Sequence, residues 1–230
     1  MRLAVVVPVL NEATAIESTL ARLAALRMRG ARVIVVDGGG TDATAALAIR
    51  HSDQVLQSAR GRAQQMNAGA RAAIDGGADV LLFVHADSEL PDSADQLIDA
   101  ALRTSGRVWG RFDVRIDGQA PMLRVVSAMM NLRSRLTGIC TGDQAIFVTR
   151  AAFEQLAGFA PIDLMEDVEF SKRAKAISWP AAVSARVVTS GRRWQRHGIW
   201  RTIVLMWRFR LAYFFGTDPQ RLAQRYRDAR

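Results

Sequence analysis

The sequence holds 230 residues, half of them apolar, with a formal net charge of +9 and a single cysteine, Cys140. That length and apolar content suit one well-cored domain and exclude a disordered chain. One cysteine excludes a disulfide framework or a cysteine-built zinc site within the chain. From Arg186 onward eleven arginines accompany only two aspartates, whereas residues 1–185 carry equal numbers of acids and bases. A basic end on a neutral body points to an anionic partner there, whether phosphate, lipid headgroups or nucleic acid, or else to a solvated basic face.

In chain order, LAVVVPV (3–9) predicts a first strand and runs without a glycine into a predicted helix over 12–28. The N-terminal apolar run is too short for a membrane span and lacks a small-residue cleavage pattern. No signal peptide is therefore expected, and the expected location is cytoplasmic. RVIVVD (32–37), QVLQ (54–57) and DVLLFVHAD (79–87) read as further strands, with helices over 42–50 and 62–74 between them. Gly30 and the Gly76-Gly77 pair stop two of the helices. Continuous apolar strands alternating with helices predict an α/β fold, Rossmann-like, around a mostly parallel sheet flanked by helices. Ligands of such sheets bind beyond the carboxyl ends of the strands.

The second half predicts strands at 107–116, 144–150 and 181–190, and helices at 121–136, 151–158, 166–176, 198–216 and 217–229. The 198–216 helix is apolar almost all round, with Arg201 and Arg208 on one narrow stripe and Arg210 opposite. Such a helix is buried in its own core or in a dimer, or lies against lipid with its arginines reaching toward headgroups.

Polar residues collect at the strand ends: Asn11 and Glu12 after the first, Asp37 at the second, His85 and Asp87 at the fourth. The first turn has no G-x-G-x-x-G, the Gly38-Gly39-Gly40 run follows the second strand instead, and ARGRAQQ lacks the G-K-[ST] of a P-loop. Something other than a glycine cradle must then neutralise a diphosphate. Strand-end carboxylates can do so through a divalent cation that bridges phosphates. His85 and Asp87 stand two residues apart, on one side of an extended chain. Mn²⁺ accepts such mixed ligation, and Mg²⁺ prefers oxygen. The plain alternative for Asp87 is a loop carboxylate capping the helix that begins near Pro91. Cys140, with no histidine near it in a recognisable motif, reads as a small buried residue rather than a nucleophile.

PVLNE (8–12), VVDGGGTDAT (35–44), ARGRAQQMNAGA (59–70), the acid-ended fourth strand and MEDVEFSKRA (165–174) follow one another in order. Together they resemble the inverting family 2 glycosyltransferases of GT-A fold, and most closely a small bacterial branch without membrane spans. The resemblance implies a GT-A domain over 1–195, with a nucleotide-binding half (1–90) and an acceptor half (91–195), followed by basic, apolar C-terminal helices over 196–230. It assigns Pro8, Asn11, Glu12, Asp37 and Gly39 to the base and ribose, and Arg60, Arg62 and Asn67 to the base and diphosphate. His85 stands where the family's metal motif has its first aspartate, and is assigned to both nucleotide and metal. Asp87 matches the metal-binding aspartate, which implies Mn²⁺ or Mg²⁺ as cofactor.

Glu166 and Asp167 resemble the family's catalytic pair, with Asp167 as the base that takes the acceptor hydroxyl's proton. Acids at a helix start are also stabilised by the helix dipole with no catalytic role. Gly142 and Asp143 of TGDQAIF would face the donor sugar. SGRRWQRHG (190–198) resembles the R-W element of processive members but lacks their glutamine three residues before the arginine. It assigns Arg192, Arg193 and Trp194 to the sugar and diphosphate, and His197 to the metal.

The implied activity is transfer of a sugar from a nucleoside-diphosphate sugar, expected to be UDP-linked, to a hydroxyl acceptor that is a small molecule or lipid-linked. No nucleic acid partner is expected. A homodimer, or peripheral contact with the inner face of the membrane through the C-terminal helix, fits the apolar tail. Two other functions remain open at this point. A nucleotidyltransferase making sugar nucleotides would show a glycine-rich, arginine-containing loop where PVLNE stands. A non-enzymatic basic module for membranes or nucleic acid would leave the carboxylates at the strand ends without a purpose.

Overall fold

All seven residues of β1 (Leu3–Val9) are buried. Leu3, Val5, Val7 and Val9 join one apolar cluster, Ala4 and Val6 another on the opposite side. A strand apolar at every position is what a sheet covered on both faces requires. The computed structural model describes residues 1–228, the side chains of Arg193, Arg227 and Asp228 excepted. After β1 come α1 (Ile16–Arg22), α2 (Ala24–Met28), β2 (Arg32–Asp37), α3 (Thr44–Ala48), β3 (Gln54–Gln57), α4 (Arg62–Asp75) and β4 (Val80–Phe83). The chain continues through β5 (Ser88–Glu89), α5 (Ala94–Ser105), β6 (Trp109–Ile116) and α6 (Pro121–Thr137). A 3-10 turn (Gly142–Gln144) leads to β7 (Phe147–Thr149), α7 (Arg150–Gln155), α8 (Glu166–Ile177) and β8 (Ala181–Thr189). The last elements are α9 (Arg192–His197), α10 (Ile199–Phe214) and α11 (Pro219–Asp228).

The strands form one sheet in the order β3-β2-β1-β4-β7-β6-β8-β5. The first four are mutually parallel, as their βα repeats predict. Beyond β4 the sheet is mixed: β7 runs antiparallel to both β4 and β6, β6 and β8 are parallel, and β5 is antiparallel to β8. The expectation of a mostly parallel sheet therefore holds, with antiparallel pairings confined to the part beyond β4. Strand direction depends on the route of each connection, which apolar pattern does not encode.

Two predicted elements divide, and one helix was not expected. The helix expected from 12 opens only at Ile16, because residues 12–15 form a turn in which Ala15 and Ile16 N–H both donate to the Glu12 carbonyl. The strand expected over 79–87 ends at Phe83, and Ser88–Glu89 leaves to pair with β8. A separate helix, α9, precedes the apolar C-terminal one, and Gly198 at φ 80° makes the break.

Helix α4 lies directly on β1 and β2. A Cβ at Gly69 would fall 2.9 Å from Val36 Cγ2 and closer still to Val6 Cγ1. Gly69→Ala is expected to cost about 1–3 kcal/mol through overpacking. A urea titration reads this as a lowered midpoint with an unchanged slope; an unmoved midpoint would show that α4 can step away from the sheet.

Candidate active site

The carboxyl ends of β1 and β2 are tied together from α4, where Gln65 Nε2 donates to the carbonyls of Val9 (2.7 Å) and Val36 (2.8 Å). Beyond them the two following turns are laced into one ledge. Asp37, 4 % exposed, accepts the Gly40 N–H at 3.0 Å. Asn11, at φ 55°, accepts the Thr41 N–H at 2.8 Å. In return Thr44 Oγ1 accepts the Glu12 N–H (2.8 Å) and Asp42 accepts the Ala13 N–H (3.1 Å). Pro8 pairs with Val36 in the buried sheet below. Gly39, at φ +81°, stands with open space where a side chain would be. The Ser58 N–H donates to the Asp37 carbonyl, which brings the loop carrying exposed Arg60 alongside. Pro8, Asn11, Glu12, Asp37, Gly39 and Arg60 are thus gathered at one end of the parallel strands.

A second wall is built where α8 begins. Glu166 is 5 % exposed, and Arg62 Nη1, at the start of α4, lies 3.9 Å from its Oε1. Asp167 Oδ2 accepts the Gly142 N–H at 2.8 Å, and its Oδ1 accepts the Val168 N–H at 2.7 Å. Met165, just before the pair, has φ 68°, a conformation non-glycine residues seldom adopt outside constrained sites. A small pocket opens among Arg62, Phe83, His85, Gly142, Glu166 and Asp167.

Burial pushes the Glu166 carboxyl above its ordinary range, and the Asp167 charge adds to the rise while Arg62 opposes it. Burial also raises Asp167, against the pull of the Gly142 and Val168 N–H groups and of Arg62. Desolvation alone would lower Arg62, but Glu166, Asp143 and Asp167 outweigh it and hold the guanidinium above its usual value. Arg62 keeps 53 % of its side chain in solvent, so its contact with Glu166 adds little to stability. What the arrangement provides is a pair of acids reluctant to ionise, with a cation at the pocket mouth.

His85 meets the same pocket, with Nδ1 3.3 Å from Asp143 Oδ1. Its Nε2 is buried without a hydrogen-bond partner among the described residues, and a Cβ on Gly142 would collide with it. Position 142 is therefore glycine for want of room. Asp87 is half-buried, and its carboxylate has no hydrogen-bond or ion-pair partner among the described residues. An unpaired carboxylate with an imidazole two residues away suits a divalent cation whose other ligands are phosphates and water, the usual way Mg²⁺ is held. No group of three His, Cys, Asp or Glu converges among the described residues, so His197 does not join His85 and Asp87 as a ligand set. The unforeseen α9 is the reason: His197 sits in its last turn.

Asn67 also differs from expectation. Its Nδ2 donates to the Phe159 carbonyl (2.8 Å) and its Oδ1 accepts the Phe159 N–H (2.9 Å), so its amide is spent on the chain rather than offered to a nucleotide. Arg173 donates to the Gly158 carbonyl at 2.8 Å and to that of Leu156. The two side chains clamp the turn that leads to Glu166. Arg192 is exposed and donates to Ser190 Oγ at 3.1 Å, Trp194 is half-buried, and the Arg193 side chain lies outside the described residues. Burial pushes the Cys140 thiol up to about 11, which leaves it inert as a nucleophile.

Two further arginines had no motif to assign them a role. Arg111 is fully buried and donates to Asp113, which also accepts from Arg135 at 2.7 Å. Arg133 is depressed by burial and drawn up by the nearby Asp167, and its Nε and Nη2 are buried without a partner among the described residues. Arg111 shares a strand face with buried Trp109, a period-two signal that was open to reading; Arg133, on a helix with arginines around it, gave none.

Residues 4–153 match the family described as glycosyl transferase family 2. The chain belongs to that family. No curated protein matches the sequence. Among solved structures, the family 2 chain resembles S. aureus TarS 1-349 at a TM-score of 0.67 and 19 % identity, over 83 % of this chain and 61 % of that one. The same protein has been crystallised with UDP-GlcNAc. The mannosyltransferase PcManGT from Pyrobaculum calidifontis, in complex with GDP-Man and Mn²⁺, matches at 0.61 and 23 %, over 81 % of this chain and 56 % of its own. Glucosyl-3-phosphoglycerate synthase from Mycobacterium tuberculosis, with Mn²⁺, UDP and phosphoglyceric acid, matches at 0.57 and 18 %, over 82 % and 69 %. The chain spans about three fifths of the length of the first of these structures. Such likeness shows the GT-A fold. Among the described residues no helix is long and apolar enough to cross a membrane.

Proposed function

We propose that this family 2 glycosyltransferase inverts the anomeric carbon of a sugar as it moves it from a nucleoside diphosphate to a hydroxyl acceptor, with Asp167 as general base. The observation that supports this most is Asp167 itself: a buried acid, oriented by the Gly142 N–H at 2.8 Å, in one pocket with Arg62, His85 and Glu166. A hydroxyl oxygen attacks the anomeric carbon, the bond to the diphosphate breaks on the opposite side, and the hydroxyl proton passes to a carboxylate oxygen of Asp167. A single displacement of this kind inverts configuration. Burial and the nearby Asp143 raise the proton affinity of Asp167.

The ledge of Pro8 to Glu12, Asp37 and Gly39 takes the base and ribose. Asp37 has a second oxygen to accept the N3–H of a uracil, which makes UDP the expected carrier; the UDP complexes of two structural relatives agree, and the GDP-Man complex of the third keeps guanosine as the competitor. Asp87 and His85 would hold Mn²⁺ or Mg²⁺, which would supply charge to the departing diphosphate. Arg60, Arg62 and Arg192 stand by for the same phosphates. Gly142 and Asp143 border the sugar. In this reading residues 1–90 bind the donor, residues 91–195 the acceptor, and the enzyme works in the cytoplasm.

Calorimetric titration with UDP, GDP, CDP and TDP, each with and without Mn²⁺ or Mg²⁺, tests the proposal. UDP is expected to bind most tightly, and only with metal present. Binding that ignores metal would transfer the phosphate role to the arginines. A folded sample that binds none of the four would refute the donor class.

A further inference from the structure

We propose that α6 and α10 together form a surface that docks this protein on an anionic lipid bilayer, beside the candidate active site. Along α10 the exposed large apolar residues are Trp200 (68 %), Val204 (55 %), Trp207 (72 %), Leu211 (58 %), Phe214 (74 %) and, just beyond, Phe215 (76 %). They recur at three- and four-residue steps, so they fall on one stripe of the helix. Its inward side is different: Thr202 and Phe209 are buried, and Phe209 meets Tyr226 of α11 ring to edge at 5.7 Å. Burial of the whole helix in the protein's own core, one of the options its composition allowed, is not what the fold does.

Helix α6 repeats the pattern. Val125, Met129, Leu132 and Leu136 are 53, 56, 48 and 70 % exposed at the same spacing, while Leu123, Ser127 and Ser134 face inward. The two helices end near one another, and the chain at Gly191, entering α9, packs on Asp117, just past β6, and on Leu123 in the first turn of α6. At the other end both reach α8: Lys175 donates to the Thr137 carbonyl at 2.7 Å, and the Lys172 ammonium lies 4.8 Å from the centre of the Tyr213 ring. Helix α8 is the one that opens with Glu166 and Asp167.

Charge selects the occupant. Neither α6 nor α10 contains an acidic residue, whereas exposed Arg124 and Arg135, the latter also donating to Asp113, lie on the first and Arg201, Arg208 and Arg210 on the second. On α10, Arg201 and Arg208 follow one border of the apolar stripe and Arg210 the other. A second copy of this chain laid stripe to stripe would set arginine rows against arginine rows. A bilayer with anionic headgroups accepts both features, taking the apolar stripe into its interface and the arginines at headgroup level, with tryptophans at the depth they favour. The assignment of the surface is independent of the sugar chemistry. Only the corollary, an acceptor carried in or on lipid and presented to Asp167, rests on the proposed function.

Vesicle flotation of the full chain tests the surface, with phosphatidylcholine alone and with added phosphatidylglycerol. Binding is expected to the anionic vesicles, to weaken as salt is raised, and to bring a blue shift in tryptophan fluorescence. Because the side chains are exposed, the double variant Trp207→Glu, Leu211→Glu should melt as the parent does and bind more than roughly tenfold less. Leu132→Glu on α6 should weaken binding in the same direction, an effect that docking through α10 alone would not give. A folded parent that fails to float, or a parent dimer that the double variant dissociates with no vesicle binding by either, overturns the proposal. Nucleotide calorimetry on the same samples reports separately on the donor site.

Discussion

Replacing Asp167 with asparagine is expected to slow glycosyl transfer by about a thousandfold while leaving nucleoside diphosphate binding intact, the size expected when a positioned general base is lost. The change is nearly isosteric, and an amide oxygen can still accept the Gly142 N–H that orients the carboxylate now. What is lost is the capacity to take a proton, together with the bond from the Val168 N–H, which the amide NH2 cannot accept. A full-rate Asp167→Asn enzyme would place the base elsewhere. The pH dependence has a definite sign. Burial raises both Glu166 and Asp167 in the folded protein, aided by Asp167 at the first and by Asp143 at the second, and the base works only when ionised. Activity should therefore fall on acidification at a higher pH than an ordinary carboxylate would give.

Stability responds in the opposite sense. Carboxyls whose folded pKa exceeds the unfolded value contribute stability below the unfolded range, and that contribution is lost as pH rises through the folded pKa. Above the folded pKa values the ionised pair therefore weakens the fold. Asp167→Asn, and Glu166→Gln beside it, should raise the metal-free melting temperature by an amount that grows as pH rises and shrinks in acid. A lower melting temperature for both variants would mean that their contacts with Gly142, Val168 and Arg62 outweigh the cost of burying two charges.

Much of this site was legible because strands announce themselves and ligands of parallel sheets gather at strand ends. The unbroken apolar run of β1 fixed its burial on two faces, and Asn11, Glu12 and Asp37 could be placed beyond its end and that of β2 before any coordinates. The motif beginning at Met165 likewise pointed to Glu166 and Asp167, though not to their burial, which comes from Phe159, Phe83 and the turn that Asn67 holds. That clamp joins residues 92 positions apart, and no local pattern carries such a contact. The same limit explains the misplaced Asn67, whose neighbours in sequence look like a nucleotide loop. It also explains β7, whose direction is a property of the route through α6 and the 3-10 turn. His197 stands apart from His85 and Asp87 for a more local reason, since it lies in the last turn of α9, a short helix of mostly charged and polar residues that no apolar periodicity announces.

Asp87→Ala is expected to weaken nucleoside diphosphate binding in Mn²⁺ by roughly a hundredfold, down to the metal-free level, and to leave metal-free binding unchanged. Two features make the effect large. Asp87 is the one carboxylate of its motif, since His85 occupies the other place, and no protein group competes for its oxygens among the described residues. For the second reason the fold should hardly notice, with a stability change within about 0.5 kcal/mol. His197→Ala should leave both affinities alone. The converse variant, His85→Asp, separates ligand count from ligand type. It adds an ionised oxygen ligand, so metal affinity should rise and the preference should move from Mn²⁺ toward Mg²⁺. It also sets a carboxylate where the imidazole now meets Asp143 at 3.3 Å, so without metal the protein should melt lower and recover when Mn²⁺ is added. A His85→Asp protein that is destabilised and stays so in Mn²⁺, together with an Asp87→Ala protein that keeps its metal dependence, would remove the cation from this strand end and leave the diphosphate to Arg60, Arg62 and Arg192.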